Sequence, residues 1–227
     1  LDYRKIDTLR ADSVGLEREV LAHLSTCDEI NYFICVQSNQ MTKAEIRQHY
    51  LNKRKQLTPL EMENKQRGLL KHCALFDLSP FSIVHLFLPI QKQREPNTQS
   101  LMEHLFFEGK TVVASRSDFN TKQMTHWAVS PDSLWQTNRY GIPEPTKGTP
   151  VPPSAIDLVF VPLLGYDVKG QRVGYGQGFY DRFLSVCAPH TVFVGLSYYP
   201  PEPEITDCEP TDIRLHHCIH SEGIVRF

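Results

Sequence analysis

Three glycines at alternate positions, Gly174, Gly176 and Gly178, lie between an apolar, strand-like run from Ile156 to Leu164 and a helix-like run from Phe179 to Val186. A chain with this order must turn tightly out of a strand and into a helix. Residues without side chains let backbone N–H groups approach an anion, and the start of the next helix adds partial positive charge. The functional reading is a phosphate cradle; the structural one is an ordinary glycine-rich turn. Three neighbours favour the cradle: Arg172 before the loop, the aromatic pair Phe179 and Tyr180 after it, and Asp181 placed to meet a cation.

The rest of the chain alternates between helical and extended patterns. Thr42-Lys-Ala-Glu45 and Thr58-Pro-Leu-Glu61 are capping boxes, the second with proline at the first helical position, and predict helices near 43–56 and 59–75. Ser82 to Leu88 reads as a buried strand, Ser100 to Glu108 as a helix and Thr111 to Ala114 as a strand. Further strands are expected at Ile156 to Pro162, Val192 to Leu196 and Ile224 to Phe227. This order predicts an α/β fold: a mostly parallel sheet with helices on both faces, in three layers. Ligands bind such sheets at the carboxyl ends of the strands, where the glycine loop belongs. The prolines between Ile142 and Pro153 remove too many donors for regular structure, so an ordered surface loop is expected there. Residues 42–227 read as one α/β domain and residues 1–41 as an extension. Within the extension Ser13 to Leu24 reads as an amphipathic helix, and Met41 resembles an initiator.

Composition excludes several classes. No apolar run reaches membrane-spanning length and no signal peptide is visible, which predicts a cytoplasmic protein without a membrane partner. A formal net charge of −2 gives no bulk attraction to nucleic acid. The six cysteines show no framework of short spacings, so reduced thiols are expected. Basic residues nonetheless crowd the stretch from Met41 to Lys71, where Lys43 and Arg47 share one helix face and can converge on a polyphosphate. His216-His217-Cys218-Ile219-His220 has soft-metal residue types but no second ligand pair, and reads as a surface cluster. Neither G-x-S-x-G nor a P-loop is present.

Arg172-Val-Gly-Tyr-Gly-Gln-Gly-Phe-Tyr-Asp181 resembles the signature of the 5-formyltetrahydrofolate cyclo-ligase family. Asp157 to Asp167, Tyr140-Gly-Ile-Pro-Glu-Pro145 and Lys43-Ala-Glu-Ile-Arg47 resemble its other landmarks in the same order, so the likeness extends over about residues 42–227. It implies a small enzyme, monomeric or weakly dimeric, that uses ATP and Mg²⁺ to convert 5-formyltetrahydrofolate into 5,10-methenyltetrahydrofolate. The implied nucleotide site is Lys43, Arg47 and the run Arg172, Val173, Gly174, Tyr175, Gly176, Gln177, Gly178, Phe179 and Tyr180, with Arg172 and Tyr180 acting in catalysis. The implied folate site is Arg47, Leu88, Glu95 and residues Tyr175 to Phe179, and the implied magnesium ligands are Asp181 and Asp212. Trp127, Trp135 and Tyr140 are aromatic candidates for stacking on the folate rings. Two departures from the family pattern stand out: Lys92-Gln-Arg94 is inserted ahead of Glu95, and Gln177 replaces glycine or lysine. The alternative is a paralogue that keeps the fold and the cradle as a nucleotide- or folate-binding regulatory module.

Overall fold

The computed structural model describes residues 40–227, and Met41–Phe227 form one compact unit. The expectations for Ser13 to Leu24 and for the 1–41 extension fall, apart from its last two residues, outside the described part. Both capping boxes form. Thr42 opens α1 (Lys43–Gln56) and Thr58 opens α2 (Pro59–Cys73), each threonine accepting from the glutamate N–H three residues on while that carboxylate takes the threonine N–H. The elements that build the sheets and cover them include β1 (Ile83–His85), α3 (Gln99–Phe107), β2 (Thr111–Asp118), β3 (Gln123–Val129), β4 (Trp135–Thr137), β5 (Pro143–Pro145) and β6 (Thr149–Pro150). They are followed by β7 (Leu158–Pro162), β8 (Gly165–Tyr166), β9 (Arg172–Val173), α4 (Phe179–Leu184), β10 (Val192–Ser197), β11 (His217–His220) and β12 (Gly223–Arg226).

Eight strands form the central sheet in the order β12-β11-β10-β7-β1-β2-β3-β6. Five of them, β11 through β2, run parallel, and the antiparallel strands β12, β3 and β6 finish the edges. The α/β class is as expected, with a sheet that is mixed at its margins. Side chains alternate across it. Val84, Leu86, Val112, Leu158, Phe160, Val194 and Leu196 meet α1, α2 and α3 in one core. Val113, Val159, Val161, Phe193 and Cys218 meet Phe183 and Leu184 of α4 in the other. One face therefore lies under three helices and the other under a helix of six residues.

Two expectations are corrected. The proline-rich passage is not wholly irregular: Pro143–Pro145 pairs with β4 and Thr149–Pro150 pairs with β3. Both are short edge strands, where a missing donor costs least. The histidine run is a surface cluster only at its start, since His216 is exposed and His217 half-buried. β11 lies between β10 and β12, with Cys218 and Ile219 fully buried and His220 buried. Among the described residues Cys73, Cys187, Cys208 and Cys218 are free thiols. No described helix is long and apolar enough to cross a membrane.

Beneath α4 the sheet carries an unexpected polar group. His85 Nε2 and His126 Nδ1 both meet Ser115 Oγ, at 2.7 and 2.9 Å. A hydroxyl has one proton, so it donates to one ring and accepts N–H from the other. Burial pushes His126 down to about 4, and it pushes His85, with His126 as neighbour, well below the usual range. The unfolded chain gains these protons below about pH 6.5, whereas the fold holds both rings neutral, so their stabilisation is full above that pH and is lost as pH falls toward 4. His216, His217 and His220 are lowered by burial too and share the effect. Urea unfolding should therefore weaken between pH 6.5 and 5 by on the order of 1–2 kcal/mol for each of His85 and His126. His126→Phe should flatten that slope by its own share, and an unchanged slope would contradict the assignment.

Candidate active site

A cavity of about 1110 Å³ opens at the carboxyl ends of the parallel strands, slightly above the usual size of a small-molecule site. Its walls come from α1, the ends of β1 and β2, the glycine loop, α4 and the segment from Asp207 to Ile213.

The glycine loop is clamped by two arginines. Arg47 on α1 donates from Nε to the Gly174 carbonyl at 3.0 Å, and a methyl group on Gly176 would come within 3.3 Å of that Nε. From the other side Arg182 Nη2 donates to the Gln177 carbonyl at 2.6 Å, while its Nε reaches the Lys122 carbonyl at 3.0 Å and ties the loop to the β2–β3 turn. Arg182 was not among the expected site residues. Gly176 and Gly178 have φ of 85° and 66°, the left-handed region that other residues enter at a cost. Gly174 differs: it needs no left-handed backbone, and among the described residues nothing beyond its chain neighbours lies within 4 Å of where a side chain would begin. The fold does not require that glycine, so the space beside it is available to a ligand.

Charge is concentrated at this end. Lys43 Nζ lies 2.5 Å from Asp212 Oδ2, and its backbone N–H donates to Asp207 at 2.6 Å. Partial burial opposes the Lys43 charge, but Asp212, with Glu209 and Asp207 behind it, outweighs burial and raises its pKa. Arg172 is 8% exposed and gives Asp181 Oδ1 two bonds of 2.9 Å, with Ile213 N–H adding a third at 3.3 Å. Burial lowers the Arg172 pKa and Asp181 pulls it back. Among the described residues no three or more His, Cys, Asp or Glu side chains form a metal cluster. Asp181 and Asp212 both line this end of the cavity. Hard oxygens in that number suit a cation held largely by a ligand's phosphates and by water.

The opposite wall is apolar with one carboxylate. Leu88, Ile90 and Gln93 line it beside Glu95, which is 7% exposed. Glu95 accepts from Ile90 N at 2.7 Å and from Tyr175 Oη at 2.8 Å. Burial raises its pKa, offset in part by those two bonds and by the charge of Arg54. The insertion before Glu95 has a structural role. Arg94 adopts φ 49°, and its Nη1 caps the end of α1 by donating to the carbonyls of Arg54, Lys55 and Leu57 at 2.7–3.1 Å. The added residues are absorbed in this cap, and Glu95 still faces the cavity.

Tyr180 lines the floor close to His85, with ring centroids 6.2 Å apart. Of the three aromatic candidates only Tyr140 lines the cavity; it stacks on Phe119 at 3.8 Å, and Phe119 meets Phe179 edge-on at 5.0 Å. Trp127 instead lies under Arg116, and Trp135 packs against the core. Phe119 and the Ser115–histidine group went unpredicted, because strand pairing assembles both over long range.

Residues 39–219 match the 5-formyltetrahydrofolate cyclo-ligase family. The chain belongs to that family. Its relatives include the 5-formyltetrahydrofolate cyclo-ligase of Haemophilus influenzae, 28% identical over 183 residues that cover 79% of this chain and 95% of the relative. The mouse 5-formyltetrahydrofolate cyclo-ligase is 28% identical over 115 residues, which cover 47% of this chain and 55% of the mouse protein. The structure of Aquifex aeolicus 5,10-methenyltetrahydrofolate synthetase superposes with a TM-score of 0.68 at 26% identity, covering 82% of this chain and 93% of that one. This chain is accordingly an enzyme of folate metabolism, with the family's cyclo-ligase activity on a small-molecule folate.

The two kinds of glycine separate in mutagenesis. Gly174→Ala should leave thermal unfolding at the wild-type value yet lower cyclo-ligase kcat/KM by about tenfold or more, the equivalent of about one lost charged hydrogen bond. Gly176→Ala should destabilise the fold by about 1–2 kcal/mol, the cost of forcing a side chain into left-handed backbone. Equal effects of the two substitutions on stability would contradict this division.

Proposed function

We propose that the chain closes the folate ring by ATP-driven phosphoryl transfer, with the triphosphate along the glycine loop and the pterin against Glu95. The observation that carries this reading is the open backbone at Gly174 in a cavity that Lys43, Arg47, Arg172 and Arg182 also line and whose far wall is apolar and holds one buried carboxylate.

The chemistry explains why such a cavity needs both ends. A formyl group on nitrogen is a poor electrophile, and its oxygen would leave as a very basic oxide. Transfer of the γ-phosphoryl group to the formyl oxygen corrects both faults and releases ADP. N10 of the same folate then attacks the activated carbon, N10 loses its proton, and phosphate departs as the methenyl bridge forms. The protein contributes alignment and charge neutralisation, as is usual in phosphoryl transfer.

Roles follow from position. Lys43, Arg47 and the amides from Arg172 to Tyr180 hold the polyphosphate, with Arg172 neutralising charge that grows during transfer. Tyr175 to Phe179 stand where the formyl group meets the γ-phosphate, and Tyr180 packs beneath them. Leu88 walls the pterin slot, and Glu95 accepts from pterin N–H groups. Asp181 and Asp212 would hold Mg²⁺ together with phosphate oxygens, and the ion would withdraw charge from the transferred group. Gln177 leaves that neutralisation to Arg172, Lys43 and the metal. The enzyme is expected to act in the cytoplasm, as a monomer or weak homodimer.

Purified protein mixed with 5-formyltetrahydrofolate and Mg-ATP should generate methenyltetrahydrofolate, followed by its absorbance. Folded protein that forms no product would sink the reading. Glu95→Gln should raise KM for the folate by about 10–100-fold, the range for a hydrogen bond to a charged group, while KM for ATP stays within about twofold. Asp181→Ala should lower kcat steeply; an Asp181→Ala enzyme with wild-type turnover would mean the nucleotide end is misplaced.

A further inference from the structure

Two of the four cations at the nucleotide end are already paired with carboxylates. Lys43 is held by Asp212 at 2.5 Å and Arg172 by Asp181 at 2.9 Å, and these side chains are 5–30% exposed. The pairs adjoin each other: Ile213, next to Asp212, donates its N–H to Asp181, and Arg172 lies within the field of both carboxylates. Two positive and two negative charges make the quartet neutral.

Neutrality has a consequence for what enters. A triphosphate arriving alone must draw Lys43 and Arg172 away from carboxylates that then stand unpaired beside added negative charge, in a partly dry site where repulsion is poorly screened. A divalent cation arriving alone finds carboxylates already satisfied. Arriving together, anion and cation give all four side chains new partners of opposite sign.

From this arrangement we infer that Asp212 and Asp181 are specificity-determining residues that bar metal-free nucleotide, by holding Lys43 and Arg172 until the carboxylates are offered another cation. The inference rests on the nucleotide site proposed above and adds to it a coupling between the two ligands. Linkage makes such coupling reciprocal, with common strengths of about 5–150-fold. An unusual sign follows: removing an acidic residue from this pocket improves the binding of bare ATP.

Calorimetric titration of the full chain without folate tests it, with ATP added in excess Mg²⁺, ATP added in EDTA, and Mg²⁺ added alone. In the wild type, ATP should bind at least about fivefold more tightly with Mg²⁺ than in EDTA, and Mg²⁺ alone should give no saturable heat. Asp212→Asn should tighten binding of ATP in EDTA by about fivefold or more and bring the two ATP affinities close to each other. Glu209→Gln controls for long-range field. Glu209 acts on Lys43 through space without pairing with it, so its removal should leave the wild-type preference for the magnesium form in place. Asp212 also accepts the Glu209 N–H at 2.6 Å, so Asp212→Ser, which keeps an acceptor there, serves as a second variant if Asp212→Asn melts early.

A wild type that binds both forms of ATP equally would leave the nucleotide site standing and overturn the gate. Unchanged affinity of Asp212→Asn and Asp212→Ser for bare ATP, or an equal gain from Glu209→Gln, would overturn it as well. Folded wild type that binds neither form would remove the nucleotide reading itself, and the gate with it.

Discussion

Arg54 is 1% exposed, and a guanidinium at that depth must be compensated or the fold loses several kcal/mol. Its Nη2 donates to the Leu163 carbonyl at 2.5 Å, at the turn that follows β7. Its Nη1 approaches Tyr175 Oη at 3.4 Å, and that hydroxyl donates to Glu95. One cation thereby joins the end of α1, the strand turn, the glycine loop and the carboxylate wall. Remove it, and each keeps its local structure but loses its position relative to the others. A hydrophobic residue of similar size could fill the space. It could not give Glu95 a counter-charge across Tyr175.

The same helix face explains why charge lines the cavity at all. Lys43, Arg47, Tyr50 and Arg54 recur at helical spacing, so α1 presents three cations and a phenol in one row. Each takes a different partner: a carboxylate for Lys43, the Gly174 carbonyl for Arg47, Glu202 for Tyr50 and the Leu163 carbonyl for Arg54. A row this polar would normally face water. Here it faces protein, because the loops at the carboxyl ends of the strands bring backbone carbonyls and aspartates toward it.

Much of this was legible because it is written locally. A capping box is a four-residue signal, and both formed at the positions that their threonines dictate. The glycine loop was legible for the same reason, since strand, glycines and helix are contiguous. Glu95 was harder: its register depended on whether three inserted residues displaced it, and the answer lies in Arg94 reaching an α1 terminus some forty residues earlier in sequence. Edge strands built from prolines, the Phe119–Tyr140 stack and the Ser115–histidine group depend on which strands become neighbours. A run such as His217 to His220 looks polar until β10 and β12 enclose it. Roles at the site reached further than geometry alone, because they came from resemblance rather than from spacing.

The unequal covering of the sheet connects the fold to the cavity. Three helices shield one face with apolar side chains, whereas α4 offers six residues, about 9 Å of helix, to the other. A helix that short covers His85 on β1 and His126 on β3 but leaves Ser115 and Ser117 of β2 lining the cavity. The sheet turns polar at the margin of α4, where Ser115 and Ser117 line the cavity while His85 and His126, bonded to Ser115, lie buried against Phe183. A longer α4 would cover Ser115 and Ser117 as well, but it would fill the floor of the cavity. The loop and its short helix thus act together: the glycines provide the backbone donors, and the brevity of α4 leaves room for what those donors are to hold.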